Sequence, residues 1–247
     1  MNSGRSPMDL RRSFNGQDAA PTSAETAVRL RPRRSTVKAL RVREVQPEEV
    51  AEVVTTGHYL HSMPAVVSRC FTVELDGCQV GAVVFSAGAR NSHRLLAGAL
   101  PRHVLTLARM WLHDDVPANG ESRVLGIVLR QLRREGVVKA VVTFADPAAG
   151  HVGVIYRASG FTYLGQSPPG RYLLVAGQVV HPRTAYGRYG TSSSRHLQRT
   201  GIPAELVMVP GKYRYLTVLD PAWAWRRRRG TSGQDPPGVR ADGMPNE

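Results

Sequence analysis

The stretch FADPAAGHVGVIYRASGF, residues 144–161, brings a carboxylate, an imidazole and a phenol into one short segment: Asp146, His151 and Tyr156. Asp146 ends VVKAVVTFAD, an almost continuously apolar run that reads as a strand covered on both faces. In open α/β sheets, ligands bind beyond such strand ends. A carboxylate there can accept a proton from an amino group or orient another reacting group. The competing reading is a turn aspartate before Pro147. Tyr156 can protonate a leaving group, or it can be a core aromatic with a satisfied hydroxyl. It lies five positions after His151. The two therefore do not share a helix face, and His151 belongs at the helix entry.

Other residues could complete such a centre. Arg109 interrupts the apolar run HVLTLARMWL, and a guanidinium there must find an anion or lose hydration. Bidentate binding of a carboxylate or phosphate is one reading. An outward-facing side chain, or an ion pair with Asp114 or Asp115, is the other. Ser122 and Arg123 fall in the first turn of a helix, where free N–H groups and the dipole favour a cofactor phosphate or carboxylate. A plain capping turn formed by Asn119 and Glu121 is equally open.

His58 and His61, with Tyr59 between them, could contact a base or bind metal, with His151 or Asp146 completing the ligand set. Tyr59 could stack on a flipped base or simply pack. Arg183, Arg188, Arg195 and Arg199 are interleaved with Tyr186 and Tyr189. This reads as a loop touching phosphates and stacking on bases, extended by Lys212, Tyr213 and Arg214, with a solvated surface loop as the alternative.

The elements that must hold these residues are legible in outline. Pro47, Glu48 and Glu49 open a helix that Gly57 ends. CFTVELDGCQVGAVVFSA predicts a hairpin turning at Asp76-Gly77. HVLTLARMWL predicts a long strand. Asn119 is the expected N-cap of a helix with apolar residues at 124, 125, 128, 129 and 132 and a stop at Gly136. After the buried strand, HVGVIYRASGF predicts a helix closed by Gly160, and YLLVAGQVVH one further strand. The sum is an α/β or α+β fold, a mixed sheet with helices on its faces.

Charge points to the partner. Of 247 residues, 33 are Lys or Arg and 19 Asp or Glu, a net charge of +14. Residues 1–38 hold +5 and residues 226–247 hold +2, leaving +7 in between. A folded part that is basic in its own right suits a polyanion, nucleic acid first and a membrane surface second. Residues 1–37 and 226–247 read as disordered basic arms around one domain over 38–225. In the expected hairpin register Cys78 faces Leu75 and Cys70 faces Val83, so the two cysteines should not bridge. No apolar run is long enough to cross a membrane, and the first residues lack a secretory h-region. A reduced, cytoplasmic setting is the simplest expectation.

The element order resembles the GNAT acyltransferase fold, whose members often carry a Tyr followed by Gly-Phe, here Tyr156, Gly160 and Phe161. Four segments are similar to the phage Mom family of DNA-modification proteins: HYLHSMP (58–64), LARMWLHDDVPANGESR (107–123), ADPAAGHVGVIYRASGF (145–161) and KYRYL (212–216). Together they span most of residues 55–220. The resemblance implies a mostly antiparallel GNAT-like sheet and a transferase acting on double-stranded DNA. The reaction would add a carbamoylmethyl group to the N6 amino group of adenine, in the host bacterial cytoplasm, protecting phage DNA from restriction.

Together with the placement of these residues at strand and helix ends, it points to catalytic roles for Asp146, Tyr156, Ser122, Arg109 and His58, and to cofactor contacts from Arg109, Ser122 and Arg123. DNA contacts would come from Tyr59, Arg183, Arg188, Arg195, Lys212 and Arg214. The partner besides DNA is a small activated donor whose identity is open; iron or an acyl-CoA-like molecule is the cofactor candidate, and the candidate ligands for a metal are His58, His61 and His151. No membrane partner is expected, and the oligomeric state is open. One departure matters: the usual pyrophosphate loop, Gln or Arg, two residues, Gly, one residue, Gly or Ala, is replaced by ANGESRVLG. That argues against ordinary acetyl-CoA use. The rivals are a conventional acyl-CoA-dependent N-acetyltransferase for a protein or small amine, and a non-catalytic DNA-binding protein.

Overall fold

The computed structural model describes residues 36–89 and 91–223, so the two basic arms lie almost wholly outside the described residues. A first strand, β1 (Arg41–Val45), leads into helix α1 (Glu48–Gly57), with Pro47 at the N-cap and both glutamates in the first turn. The expected hairpin follows as β2 (Arg69–Leu75) and β3 (Cys78–Ala87). Asp76 and Gly77 have φ of 51° and 84°, the backbone of a two-residue turn that matches strand twist. An irregularity after Val73 shifts the pairing by one residue, so Cys70 lies opposite Val84 rather than Val83. Both cysteines are free.

The chain continues through β4 (Val104–Leu112), α2 (Gly120–Glu135), β5 (Ala140–Ala145), α3 (Val154–Ala158) and β6 (Thr162–Gln166). Next come β7 (Gly170–Val175), β8 (Gln178–Val180), α4 (Pro182–Tyr189), α5 (Ser194–Arg199) and β9 (Ala204–Val209). The last described strand is β10 (Tyr213–Val218).

Seven strands form the main sheet in the order β1-β2-β3-β4-β5-β10-β6. Every neighbouring pair is antiparallel except β4 and β5. The two-residue period of the strands sorts the core onto two faces. Phe71, Val73, Val83 and Phe85 meet Val124, Leu125, Val128, Leu129 and Leu132 of α2 on one side. Cys70, Ala82 and Val84 meet Val50 and Val54 of α1 on the other. The result is the mixed, mostly antiparallel sheet with helices on both faces that the sequence suggested.

Between β6 and β10 stands a separate lobe, the three-stranded sheet β8-β7-β9 with α4 packed on β7 and α5 on β9. It has its own core, with Leu173, Val175, Val180, Ala185, Leu197 and Ala204.

Four expectations are corrected here. The segment 183–199, taken as a loop, forms two helices because Ala185 and Leu197 fall where each can bury a side chain against the small sheet. YLLVAGQVVH is two strands, not one, since Ala176 and Gly177 at φ 48° and 77° turn the chain. The helix in HVGVIYRASGF begins only at Val154, because Gly150 and Gly153 take left-handed backbone at φ 74° and 79°. Asn119 occupies the N-cap position of α2, but at φ 67° its side chain makes no capping bond.

Candidate active site

The parallel register of β4 and β5 runs only from Val104–Leu107 against Ala140–Thr143. Beyond it the strands splay, and a cavity of about 510 Å³ opens between them. His58, Tyr59, Arg109, Trp111, His151 and Tyr156 line it. Thus β4 brings Arg109, the chain after α1 brings His58 and Tyr59, and the chain after β5 brings His151 and Tyr156.

The segment from Asp146 to Gly153 is held from several sides. The Asp146 carboxylate accepts the Ala148 N–H at 3.1 Å, and its carbonyl accepts the His151 N–H at 3.0 Å. The Tyr215 hydroxyl donates to the Val152 carbonyl at 2.5 Å. Gly153 lies so close to the Tyr215 ring that no larger residue fits there without movement. Asp146 also forms an ion pair with Lys212 Nζ at 2.8 Å. Burial pulls the Lys212 ammonium down, but the hydrogen bond and charge of Asp146 outweigh it and leave its pKa raised. Asp146 is therefore fixed beside the cavity by a turn and a cation together.

Tyr59 sits between two imidazoles, its ring centroid 4.5 Å from His58 and 5.0 Å from His151. Burial raises its hydroxyl pKa; Lys212 and Arg109 oppose that shift and Asp146 adds to it. These charges therefore converge on one phenol. Tyr156 packs on Phe161 and Tyr215. Burial raises its pKa, opposed by a side-chain hydrogen bond with Thr143. At neutral pH it is a proton donor, not a base.

Arg109 does not pair with Asp114 or Asp115. Its Nε donates to the Ser62 carbonyl at 2.8 Å and one terminal nitrogen to the Ala108 carbonyl at 2.7 Å, while Asp115 lies 3.4 Å from His113. The guanidinium thus ties the chain after α1 to β4. Burial lowers its pKa, and Tyr59 partly offsets this.

His58 is buried, and its Nδ1 accepts the Leu60 N–H at 3.1 Å, which places the ring proton on Nε2. Burial first, then Arg109, His151 and His61, lower its pKa from 6.5 to about 4. It is neutral at pH 7. Because the unfolded chain binds the proton first, this group's contribution to stability is complete above pH 6.5 and is lost as the pH falls towards about 4. The loss is at most on the order of 3 kcal/mol. Titration of the His58 ring signals by NMR should show a midpoint near 4, and a midpoint near 6.5 would contradict its burial.

Other expected site residues lie elsewhere. Ser122 donates to the Asn119 carbonyl at 3.1 Å, and neither it nor Arg123 lines the cavity. His61 Nδ1 lies 3.0 Å from the Thr55 carbonyl, to which it donates. Among the described residues no group of three His, Cys, Asp or Glu side chains could hold a metal ion. The set His58, His61 and His151 is thus not assembled for iron: His58 Nδ1 and His61 Nδ1 are both committed to backbone. Arg214 is half-buried in β10 and donates to the Leu164 carbonyl at 3.4 Å, which turns it away from an outer DNA surface. Lys212 is engaged by Asp146. Arg183, Arg188 and Arg195 are exposed on α4 and α5.

Sequence reasoning passed over Trp111 and read Gly57 only as a helix stop, whereas both line the cavity. The Trp111 indole lies against Gly57, where a side chain would collide with it. A Trp two residues from Arg109 on the same strand, and therefore on the same face, was the available signal.

The chain is similar to known proteins. An 82-residue stretch is 37% identical to "Methylcarbamoylase mom" of Escherichia phage Mu, covering 33% of this chain and 34% of that protein. The alignment thus spans about a third of the curated relative's length. Among solved structures, spermidine N-acetyltransferase from Vibrio cholerae aligns over 74% of this chain and 96% of its own, at 9% identity and a TM-score of 0.44. An acetyltransferase of the GNAT family from Streptococcus pneumoniae aligns over 73% and 99%, at 13% identity and a TM-score of 0.42. The Mom protein family model matches residues 39–234, which takes in the whole cavity and the lobe beside it, and the chain belongs to that family.

Proposed function

We propose that this protein is a transferase that adds a carbamoylmethyl-type group to N6 of adenine in double-stranded DNA, in the cytoplasm of a phage-infected bacterium, where the modification protects phage DNA from restriction. The observation that carries the reading is the cavity at the β4–β5 splay, with an aromatic platform on one side and a fixed carboxylate beside it. Its size falls in the range of ligand sites, roughly 300–1,000 Å³. Membership of the Mom family and the name of the phage Mu relative support the choice of DNA.

In this mechanism the target adenine leaves the duplex stack, since its amino group is otherwise out of reach, and packs against Tyr59. The N6 nitrogen attacks the electrophilic carbon of a small activated donor, forming the N–C bond as the bond from carbon to leaving group breaks. The amino proton passes to Asp146. Lys212 holds that carboxylate in place, and because N6 becomes acidic only as the new bond forms, a weak base suffices. Tyr156 protonates the leaving group. His58 Nε2–H and the Arg109 guanidinium orient the donor's carbonyl. The exposed arginines Arg183, Arg188 and Arg195 hold the duplex.

The test is mass spectrometry of nucleosides from DNA of cells expressing the protein, beside an empty-vector control. A deoxyadenosine heavier by a carbamoylmethyl group is expected. Unmodified adenine in cells containing a functional donor supply would sink the reading.

A further inference from the structure

The lobe between β6 and β10 is more than a basic extension. Residues 170–209 carry five arginines and one glutamate, +4 of the +7 found between the two arms. Four of the five stand on two helices joined by the four residues Gly190–Ser193, and Gly190 is left-handed at φ 70°. The connection is as short as in helix pairs that enter a DNA groove, while each helix here packs on its own strand, α4 on β7 and α5 on β9.

The faces are sorted accordingly. Ala185 of α4 and Leu197 of α5 point into the lobe's core at 0% and 1% exposure. Arg183, Arg188, Arg195 and Arg199 are all exposed, as is Tyr186 at 65%. Arg195 and Arg199 lie one turn apart and so share a face of α5. A helix of six residues is about 9 Å long and fits a major groove about 12 Å wide.

The lobe is also connected to the cavity. His181, the N-cap of α4, packs on Tyr172 at 5.0 Å between ring centroids. Burial, then Arg183, then Lys212, lower the His181 pKa. Lys212 in turn holds Asp146. The start of α4 therefore lies within electrostatic reach of the pair that flanks the cavity.

We propose that α4 and α5 form a sequence-reading head for duplex DNA, in which α5 enters the major groove and Arg195 and Arg199 read guanines flanking the target adenine. Arg183 and Arg188 hold phosphates, and Tyr186 packs on the backbone. The inference rests on the DNA reading above but goes further, because a merely basic surface would bind every sequence alike. Duplex DNA is the occupant that the charge favours over a single strand: the outer face offers only one strongly exposed aromatic among its arginines, whereas single-strand sites present rows of stacking rings.

Arginine reads guanine O6 and N7 with a fixed fork, whereas lysine supplies the same charge without it. The experiment incubates the full-length protein with a pool of duplexes containing a randomised core and sequences the bound fraction. The wild type should enrich a guanine-containing motif. The double variant Arg195→Lys with Arg199→Lys should bind the pool within about threefold of wild type at low salt yet show no motif. Arg188→Ala should weaken binding of all sequences equally and lower the salt slope by about 1. A wild type that enriches no motif, or a double-lysine variant that keeps it, would overturn the proposal. Since the readout needs no catalysis, a chain that reads sequence but leaves adenine unmodified sinks the transferase reading and retains this one. Modified adenine in every context does the reverse.

Discussion

Changing Asp146 to asparagine should lower adenine modification by on the order of 10²–10³ while leaving the protein folded. The amide keeps the shape of the side chain and can still accept the Ala148 N–H, now at 3.1 Å. It cannot take a proton at the developing ammonium, and it removes the charge opposite Lys212. The Lys212 side chain is 36% exposed, so losing its partner should cost only about 1 kcal/mol of stability. Activity and stability thus separate. The check is nucleoside mass spectrometry at matched protein levels, with a thermal melt of the purified variant. Modification at the wild-type rate would remove Asp146 from the chemistry and reduce it to a turn residue. A matching Lys212→Met variant should fall less far, because the carboxylate remains and only its fixing cation is lost.

Gly153→Ala should have the largest effect on stability, about 3 kcal/mol. Two costs add. The left-handed backbone at φ 79° disfavours any residue with a Cβ, by on the order of 1–3 kcal/mol. That Cβ would also lie 2.5 Å from the fully buried ring of Tyr215, which cannot swing aside because it packs on Tyr156 and Tyr163. Gly160→Ala is the control: it shares the left-handed backbone at φ 80° but meets open space, so its cost should be about 1 kcal/mol. Denaturant midpoints at unchanged slope measure both. Equal costs at the two glycines would show that close packing on Tyr215 contributes nothing. Because the Tyr215 hydroxyl holds the Val152 carbonyl, the Gly153 variant should also loosen the segment that carries Asp146 and His151.

These two positions show what could be read before any fold was known. Asp146 was legible because it ends an apolar run, and α2 because five apolar residues recur at helical spacing, all of them buried. The hairpin at Asp76-Gly77 was legible from turn chemistry. Other features depend on contacts distant in sequence. Nothing local marks Lys212 as the partner of Asp146, and nothing in ANGESRVLG shows that Ser122 would stand away from the cavity. The arginine-rich segment was recognised as basic, but its helices were missed. Gly, Ser and Thr depress local helix propensity, and only packing of Ala185 and Leu197 on strands formed elsewhere overrides it. The β9 strand was missed similarly: Leu206 and Met208 stay exposed at 60% and 63%, so the run lacks a clean alternating pattern.

The route by which the chain enters and leaves the lobe has a consequence for how such proteins diversify. Gly170 and Val209 are paired across β7 and β9, and Gln166 pairs with Tyr213 across β6 and β10. Ser167 and Lys212 are hydrogen-bonded between these two points. The whole lobe is therefore a long excursion from the tip of a single β-hairpin, and chain topology would permit a short turn in its place. Insertions at hairpin tips are the changes that folds tolerate best. If α4 and α5 read sequence as proposed, one hairpin tip can be recombined as a cassette that changes target preference and leaves the cavity at the β4–β5 splay in place.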